Sequence, residues 1–486
     1  MSPLIFVIFG ATGDLTHRKL MPAIFSLVKN GKISPDVMVI GVGRRDLSDD
    51  SFRSAMKDAV HLSAADSESW NRLSANMSYV RGMFEDTALY DELVTRLEAY
   101  DKKIGACIPR FFYLATPPEH YEEILMRLKA STLAEGCGQG TANYTRVLIE
   151  KPFGKDMQTA RKLDDLLATI FEERQIYRID HYLAKETVQN ILAFRFANGI
   201  FEPTWNSEFI DHVQITVSED IGIEGRGNLY EGIGAIRDVM QNHMMQMVSL
   251  VAMEQPRAFD AQSIRDERAR VIASLAQINN ASVHQVVRGQ YKGYTDEKGV
   301  APNSGTDTFV AMKVMVDSPR WRGIPFYLRT GKKLRDKVTE ISLHYKKPAL
   351  CYDDVCLFDP EKVYRNVLTI RVQPDEHIAL RLMVKKPGFG MELVPVEMNY
   401  RYASTFSEVN TPDAYEKLLM DAIMGDQTLF ARTDEIAASW KFFSPILTYW
   451  QKNASSLKHY DGGGNGPVEA DQLIESDGRK WYFAEK

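Results

Sequence analysis

Three stretches of this 486-residue chain hold side chains whose types and spacing suit chemistry. The first, Asp180-His181-Tyr182-Leu183-Ala184-Lys185, runs into Thr187, Val188, Ile191 and Leu192, an apolar stripe at helical spacing. On such a helix His181 and Lys185 are four apart and Tyr182 and Lys185 three apart, so their polar tips meet at one spot. Two cations and a hydroxyl suit a phosphate monoester. A helix with a solvated basic face would look the same, and Asp180 also reads as its cap.

The second stretch runs from Ala235 to Gln246 and sets Arg237, Asp238, Gln241, Asn242 and His243 among Ile236, Val239, Met240, Met244 and Met247. Burying so many polar groups is costly unless they have partners or work to do. His243 falls on the apolar side with Val239 and Met240, where a satisfied core histidine competes with a catalytic one. Asp238 lies about 140° from it round a 3.6-residue turn, so a carboxylate serving that imidazole must come from another segment.

The third is the turn Gly10-Ala11-Thr12-Gly13-Asp14-Leu15, between an apolar run at 4–9 and a helix-compatible run at 16–29. A strand ending in glycines at a helix mouth offers unpaired N–H groups and a positive helix end to a pyrophosphate. Gly10, Thr12, Gly13, Asp14 and Leu15 are thus candidates for holding a dinucleotide. The pattern is GxxG with Thr16 at the third glycine position, so an ordinary strand-to-helix turn stays open. It lacks the Gly-Lys-Ser/Thr ending of a nucleoside triphosphate loop, which argues against a kinase or GTPase. The second strand ends in Arg44-Arg45, where a site selective for NAD places an acidic residue. A guanidinium pair suits the 2′-phosphate of NADP, and a solvated surface pair is the alternative. Lys151 follows the strand at 146–149, at the edge where ligands of open α/β sheets gather. Pro152 after it permits a cis bond, and a simple turn is the competing reading.

These residues need elements to hold them. In the first third, apolar runs at 4–9, 37–41, 77–80, 110–115 and 146–149 alternate with helical patterns, the signature of a parallel sheet covered on both faces. From about residue 211, alternating runs at 212–218, 309–316, 340–346, 367–373 and 377–385 predict a large antiparallel or mixed sheet. The boundary falls near residue 180.

Composition narrows the class. At 486 residues the chain is too long for one core, and 44% hydrophobic with 26% charged residues describes a folded globular protein. A net charge of −6 gives no global field to attract nucleic acid or anionic lipid. No apolar run approaches the ~20 residues of a membrane span, so a cytosolic protein is expected. The four cysteines, 107, 137, 351 and 356, form no CxxC pair and read as reduced thiols. No zinc or calcium motif appears, so metal-free catalysis is expected.

Taken together, the segments 10–20, 113–118 (Tyr-Leu-Ala-Thr-Pro-Pro), 150–154 (Glu-Lys-Pro-Phe-Gly), 178–186, 237–246, 329–332 (Arg-Thr-Gly-Lys), 370–374 and 412–416 resemble the glucose-6-phosphate dehydrogenase family, in one order over nearly the whole chain. Asp-His-Tyr-Leu-x-Lys-Glu and Arg-Asp-Val-Met-Gln-Asn-His are its most specific motifs. The resemblance implies an α/β plus α+β protein: a Rossmann-like NADP-binding domain at 1–180 and a larger substrate-binding and oligomerisation domain at 181–486, with a mixed, mostly antiparallel sheet. It implies a cytoplasmic homodimer or homotetramer that oxidises D-glucose 6-phosphate at C1 to the 6-phospho-lactone with NADP as acceptor, the first step of the oxidative pentose phosphate pathway. NAD use stays open.

By the same resemblance His243 is the general base and Asp180 the carboxylate that orients it. His181, Tyr182 and Lys185 hold the substrate phosphate, and Glu219, Asp238, Lys332 and Lys337 contact the sugar and its surroundings. Lys151 serves both substrate and cofactor; Arg44, Tyr113 and Met83 lie on the cofactor side. Some relatives carry a further structural NADP in the second domain, a pattern that Arg371 fits in part. Lys337 stands where some members have arginine, which keeps charge but loses a bidentate fork. A base with pKa near 7 suits removal of the C1 hydroxyl proton, and histidine is that base. A dehydrogenase for another sugar or sugar phosphate and a non-catalytic NADPH sensor are the alternatives.

Overall fold

β-branched and aromatic residues fit a pleated, buried surface, and the apolar runs near the start of the chain become strands for that reason. The computed structural model describes residues 3–136, 145–279, 282–353, 355–407 and 411–483. β1 (Ile5–Phe9), β2 (Met38–Gly43), β3 (Met77–Arg81), β4 (Arg110–Leu114) and β5 (Thr145–Ile149) match the five runs read from sequence. β6 (Ile176–Ile179), four buried residues that merge in sequence with the pattern after them, extends the sheet. These six strands are parallel, in the order β6-β5-β4-β1-β2-β3. β1 and β4 are buried throughout, as helices on both faces require.

The second sheet has nine strands. They are β7 (Ile210–Ser218), β8 (Val286–Tyr291), β9 (Phe309–Met315), β10 (Pro325–Gly331), β11 (Val338–Tyr345), β14 (Val367–Gln373), β15 (His377–Lys385), β16 (Leu393–Arg401) and β18 (Leu457–Tyr460). The two-residue strands β12 (Cys351–Tyr352) and β13 (Val355–Cys356) form a separate hairpin. The nine run β16-β15-β14-β11-β7-β10-β9-β8-β18. Only β7 with β10 and β8 with β18 pair in parallel, so the sheet is mixed and mostly antiparallel.

The chain divides into two compact units. One is Met1–Ala184 with Asp260–Arg265 and Thr411–Ile436; the other is Lys185–Phe259, Asp266–Asn410 and Ala437–Lys486. The late return to the first unit rests on bonds no local pattern reveals. β17 (Phe430–Ala431) adds to β6 antiparallel, making seven strands. Gln427 Nε2 donates to the Glu173 and Ile176 carbonyls at 2.8 and 2.9 Å. Arg146 Nη1 donates to the Ala422 and Ile423 carbonyls at 2.6 and 2.8 Å.

The described cysteines are not the reduced thiols that their spacing predicts. Cys351 and Cys356 are joined in a disulfide, because the hairpin sets them directly opposite each other despite a separation of five. Cys107 is also disulfide-bonded, and no described cysteine is a free thiol; Cys137 lies outside the described residues. Among the described residues, no helix is long and apolar enough to cross a membrane, and no three His, Cys, Asp or Glu are grouped to hold a metal ion.

Candidate active site

In the first unit, register gathers the candidate residues at one edge. Phe9 pairs with Val42 and Leu114, Leu114 with Ile149, and Ile149 with Arg178. Gly10, Arg44, Glu150, Lys151 and Asp180 therefore all lie just past the carboxyl ends of neighbouring strands, where open α/β sheets bind ligands. Gly10 has φ +83°, and a Cβ on it would lie 2.5 Å from the Ala115 carbonyl oxygen. Only glycine fits, which leaves bare backbone at the turn, as a pyrophosphate site needs. Thr16 stands at the third glycine position, its buried hydroxyl donating to the Gly10 carbonyl at 3.4 Å. The helix begins with a π-type turn, Thr16–Leu20, and continues as Met21–Lys29.

Asp14 is exposed and paired with Arg18 at 2.8 Å; Thr12, Gly13 and Leu15 are half-buried in the turn. Arg44 and Arg45 are exposed beyond β2. The Tyr79 hydroxyl donates to the Arg45 carbonyl at 3.0 Å, which fixes that strand end. Met83 is an exposed apolar side chain two residues past β3. Lys151 is half-buried, and its peptide bond to Pro152 is cis. Tyr113 is enclosed on β4, with its hydroxyl on Glu150 Oε1 at 2.5 Å.

Glu150 itself was not singled out from sequence, although it opens the Glu-Lys-Pro-Phe-Gly motif. Burial pushes its pKa up to about 7, opposed by hydrogen bonds from the Tyr113 and Tyr415 hydroxyls and by the Lys151 charge. Tyr415 in turn stacks on His181, with centroids 6.4 Å apart and planes at 14°. Tyr415 comes from a segment more than 200 residues later, so no local signal links it to His181.

Two segments differ from the regular α-helix that their patterns predict. Residues 181–185 form turns, and the helix is Glu186–Phe196, with Lys185 at its N-cap position. Helical spacing therefore does not bring His181, Tyr182 and Lys185 together. His181 is half-buried and Tyr182 buried, and Lys185 Nζ donates to Gln373 Oε1 at 2.9 Å. Asp180 is only 2% exposed and caps the turn, not the helix: its Oδ1 accepts the Tyr182 N–H at 3.0 Å. The segment Ile236–Met244 is a π-type helix. Its hydrogen bonds span five residues, so Asp238 and His243 stand one wide turn apart and approach a common face, unlike on a 3.6-residue turn.

In the second unit, the parallel pair Gly331 and Ser218 sets Lys332 beside Glu219. Lys332 Nζ lies 2.8 Å from Glu219 Oε2 and 3.4 Å from Asp238 Oδ2, so three of the expected sugar contacts form one cluster. The Tyr230 ring, which the sequence reading left without a role, lies 5.1 Å from the same ammonium group. His243, 2% exposed, sits five residues beyond Asp238. Lys337 is exposed and lines a cleft of about 950 Å³ together with Asp220, Arg335, Arg371, His377 and Arg401. Arg371 is engaged within the protein, its Nε 2.8 Å from Glu340 Oε2. An ammonium group held between two carboxylates, next to a helix with a buried imidazole, suits recognition of a polyhydroxylated substrate and proton removal from it.

A glycine turn at the edge of a parallel sheet, followed in one chain by a large mixed sheet with this cluster, defines the class: an α/β dinucleotide-binding fold joined to a larger unit built on a mixed sheet. Its family is given by direct matches. The model described as "Glucose-6-phosphate dehydrogenase, NAD binding domain" matches residues 7–190, and that described as "Glucose-6-phosphate dehydrogenase, C-terminal domain" matches 192–482. The chain belongs to the glucose-6-phosphate dehydrogenase family. It is 44% identical to the glucose-6-phosphate 1-dehydrogenase of Chlamydia pneumoniae over 495 residues, covering 99% of this chain and 96% of that one. It is 40% identical to that of Bacillus subtilis (strain 168) over 489 residues, covering 98% of each. A solved glucose-6-phosphate dehydrogenase in complex with its substrate glucose-6-phosphate superposes with a TM-score of 0.90 at 34% identity, covering 99% of this chain and 98% of that one.

Proposed function

We propose that this protein oxidises D-glucose 6-phosphate at C1 to 6-phospho-D-glucono-1,5-lactone, with NADP as the preferred acceptor. A bound nicotinamide ring supplies a hydride acceptor; the chain supplies orientation and proton transfer. The observation that carries the reading is the Lys332 ammonium between Glu219 and Asp238, on the unit that also carries the buried His243.

His243 takes the C1 hydroxyl proton, since hydride loss from C1 leaves positive charge there unless that proton departs too. Asp180 is assigned the part of the carboxylate that sets the imidazole tautomer and steadies its charge. His181, Tyr182 and Lys185 hold the remote phosphate, whose binding energy aligns C1 for reaction. Glu219, Asp238, Lys332 and Lys337 contact the sugar and its surroundings, and Lys151 touches both substrate and cofactor. Gly10, Thr12, Gly13, Asp14 and Leu15 cradle the pyrophosphate, Arg44 meets the 2′-phosphate, and Tyr113 and Met83 lie along the dinucleotide. The bare glycine turn and the exposed Arg44 support the cofactor assignment. Homodimeric or homotetrameric assembly in the cytoplasm belongs to the same proposal; the exposed Val396 and Met398 on edge strand β16 support self-association.

The test is a side-by-side assay of purified protein by absorbance of the reduced cofactor, with glucose 6-phosphate or glucose and with NADP or NAD. The largest kcat/KM is expected for glucose 6-phosphate with NADP. A preference for unphosphorylated glucose would remove the phosphate-site assignment, and equal use of both cofactors would remove the preference for NADP.

A further inference from the structure

Lys332 and Glu219 stand together because their strands pair, but Asp238 belongs to a helix and needs something else to hold it opposite Lys332. The N-cap residue of that helix is Ala235, whose side chain cannot cap. The cap comes from 71 residues away: Asp307 Oδ2 accepts the Ile236 N–H at 3.2 Å, and the Asp307 carbonyl accepts the Ala235 N–H at 2.9 Å. Asp307 is 6% exposed. Gly234, with φ +71°, passes so close that a Cβ on it would lie 2.6 Å from Asp307 Oδ1. The turn into the helix is shaped around this carboxylate.

The adjoining residue reaches Lys332. The Thr308 carbonyl accepts the Lys332 N–H at 2.9 Å. The Tyr460 hydroxyl, 3.0 Å from Thr308 Oγ1, donates to the Lys332 carbonyl at 2.7 Å. The Asp307 carbonyl also accepts the Tyr230 hydroxyl at 3.2 Å, and the Tyr230 ring lies beside the Lys332 ammonium group. One dipeptide just before β9 thus holds the helix start, the backbone of Lys332 and the ring beside its charge.

We infer that Asp307, together with Thr308, is a positioning residue for the oxidation: it clips the helix carrying Asp238 and His243 to the strand end carrying Lys332. It satisfies N–H groups that the helix start leaves open and places negative charge at the positive helix end. Its effect on the reaction runs through the spacing of Asp238, Lys332 and His243, where displacements near 1 Å are felt strongly. The inference rests on the assignment of Lys332 and Asp238 to the sugar.

The test compares full-length Asp307→Ala, Asp307→Asn and Asp307→Glu, with Lys332→Ala as a control for the site assignment. It measures kcat, KM for glucose 6-phosphate, KM for NADP and the isotope effect with substrate deuterated at C1. Asp307→Ala is expected to lower kcat/KM for the sugar phosphate by about 10- to 100-fold, with KM for NADP nearly unchanged and a larger isotope effect. Asp307→Asn keeps an acceptor oxygen and is expected to restore most of the loss. Asp307→Glu keeps the charge but lengthens the clip by one methylene, and is expected to fold and show the sugar-specific loss even where the alanine variant does not fold. Unimpaired kinetics in Asp307→Glu, or an equal loss toward sugar and NADP, overturns the inference while leaving the site assignment intact if Lys332→Ala is impaired. An unimpaired Lys332→Ala overturns both.

Discussion

His243 is buried at the end of a polar helix, and the assignment of a general base to it makes a direct prediction. His243→Asn keeps a polar side chain of similar reach but has no basic nitrogen. It is expected to lower kcat by about 10²- to 10⁴-fold, with KM for glucose 6-phosphate changed little; steady-state kinetics check this, and unaltered turnover refutes the role. Arg44 makes the complementary prediction for the cofactor. It is exposed past β2, where a guanidinium can meet a phosphate with charge-assisted bonds. Arg44→Ala is expected to raise KM for NADP by about 10- to 100-fold and to leave KM for NAD nearly unchanged. Equal effects on the two cofactors would take Arg44 away from the 2′-phosphate. Type and place in the sequence single out both residues. They do not single out Glu150, because what marks it is an enclosure built by Tyr113 and by Tyr415, hundreds of residues downstream.

At the scale of elements, β7 and β11 bring His212 and His344 face to face, with centroids 4.1 Å apart and planes at 14°. The last described residues close over them: the Tyr482 ring meets His344, the Tyr482 N–H donates to Gln214 at 2.8 Å, and Arg479 reaches Asp211 at 2.9 Å. Burial lowers both histidine pKa values. For His344 the neighbouring His212 is the next cause, and Arg365 and Arg381 act in the same direction while Asp211 opposes them. For His212 the bond to Asp211 opposes the shift, and Arg479 and Arg365 reinforce it. The folded state therefore holds this pair neutral, and the unfolded chain takes up protons more readily below the ordinary histidine pKa of about 6.5. The pair's contribution to stability is fully present above that pH and is lost as pH falls below it. The urea midpoint is expected to drop between pH 7.5 and 5.5, and His344→Gln to make the drop shallower. An unchanged slope in that variant would remove the stack as its source.

At the scale of the whole molecule, the first unit is not complete at residue 184. Without residues 411–436, β6 loses β17 and becomes an open edge, and Arg146 loses its carbonyl acceptors on Ala422 and Ile423. A fragment spanning 1–184 is therefore expected to aggregate or to melt below the same fragment linked to 411–436; light scattering and thermal melts compare the two, and equal behaviour would make the returning segment dispensable. The sequence alone determined which residue types could bear the chemistry and where most strands run. Hydrophobic period, glycine turns and the sites after strand ends are local properties, written within a few residues of where they act. The tertiary structure alone decided the rest: turns at 181–185 where helix had been expected, a π-type turn bringing Asp238 toward His243, the register that joins Lys332 to Glu219, the Cys351–Cys356 bridge and the Asp307 cap. The register and the cap rest on partners 113 and 71 residues away, while the turns, the π-type segment and the bridge are short in sequence but take the conformation that the assembled fold imposes, so the physical forces that select all five act only once the chain has folded.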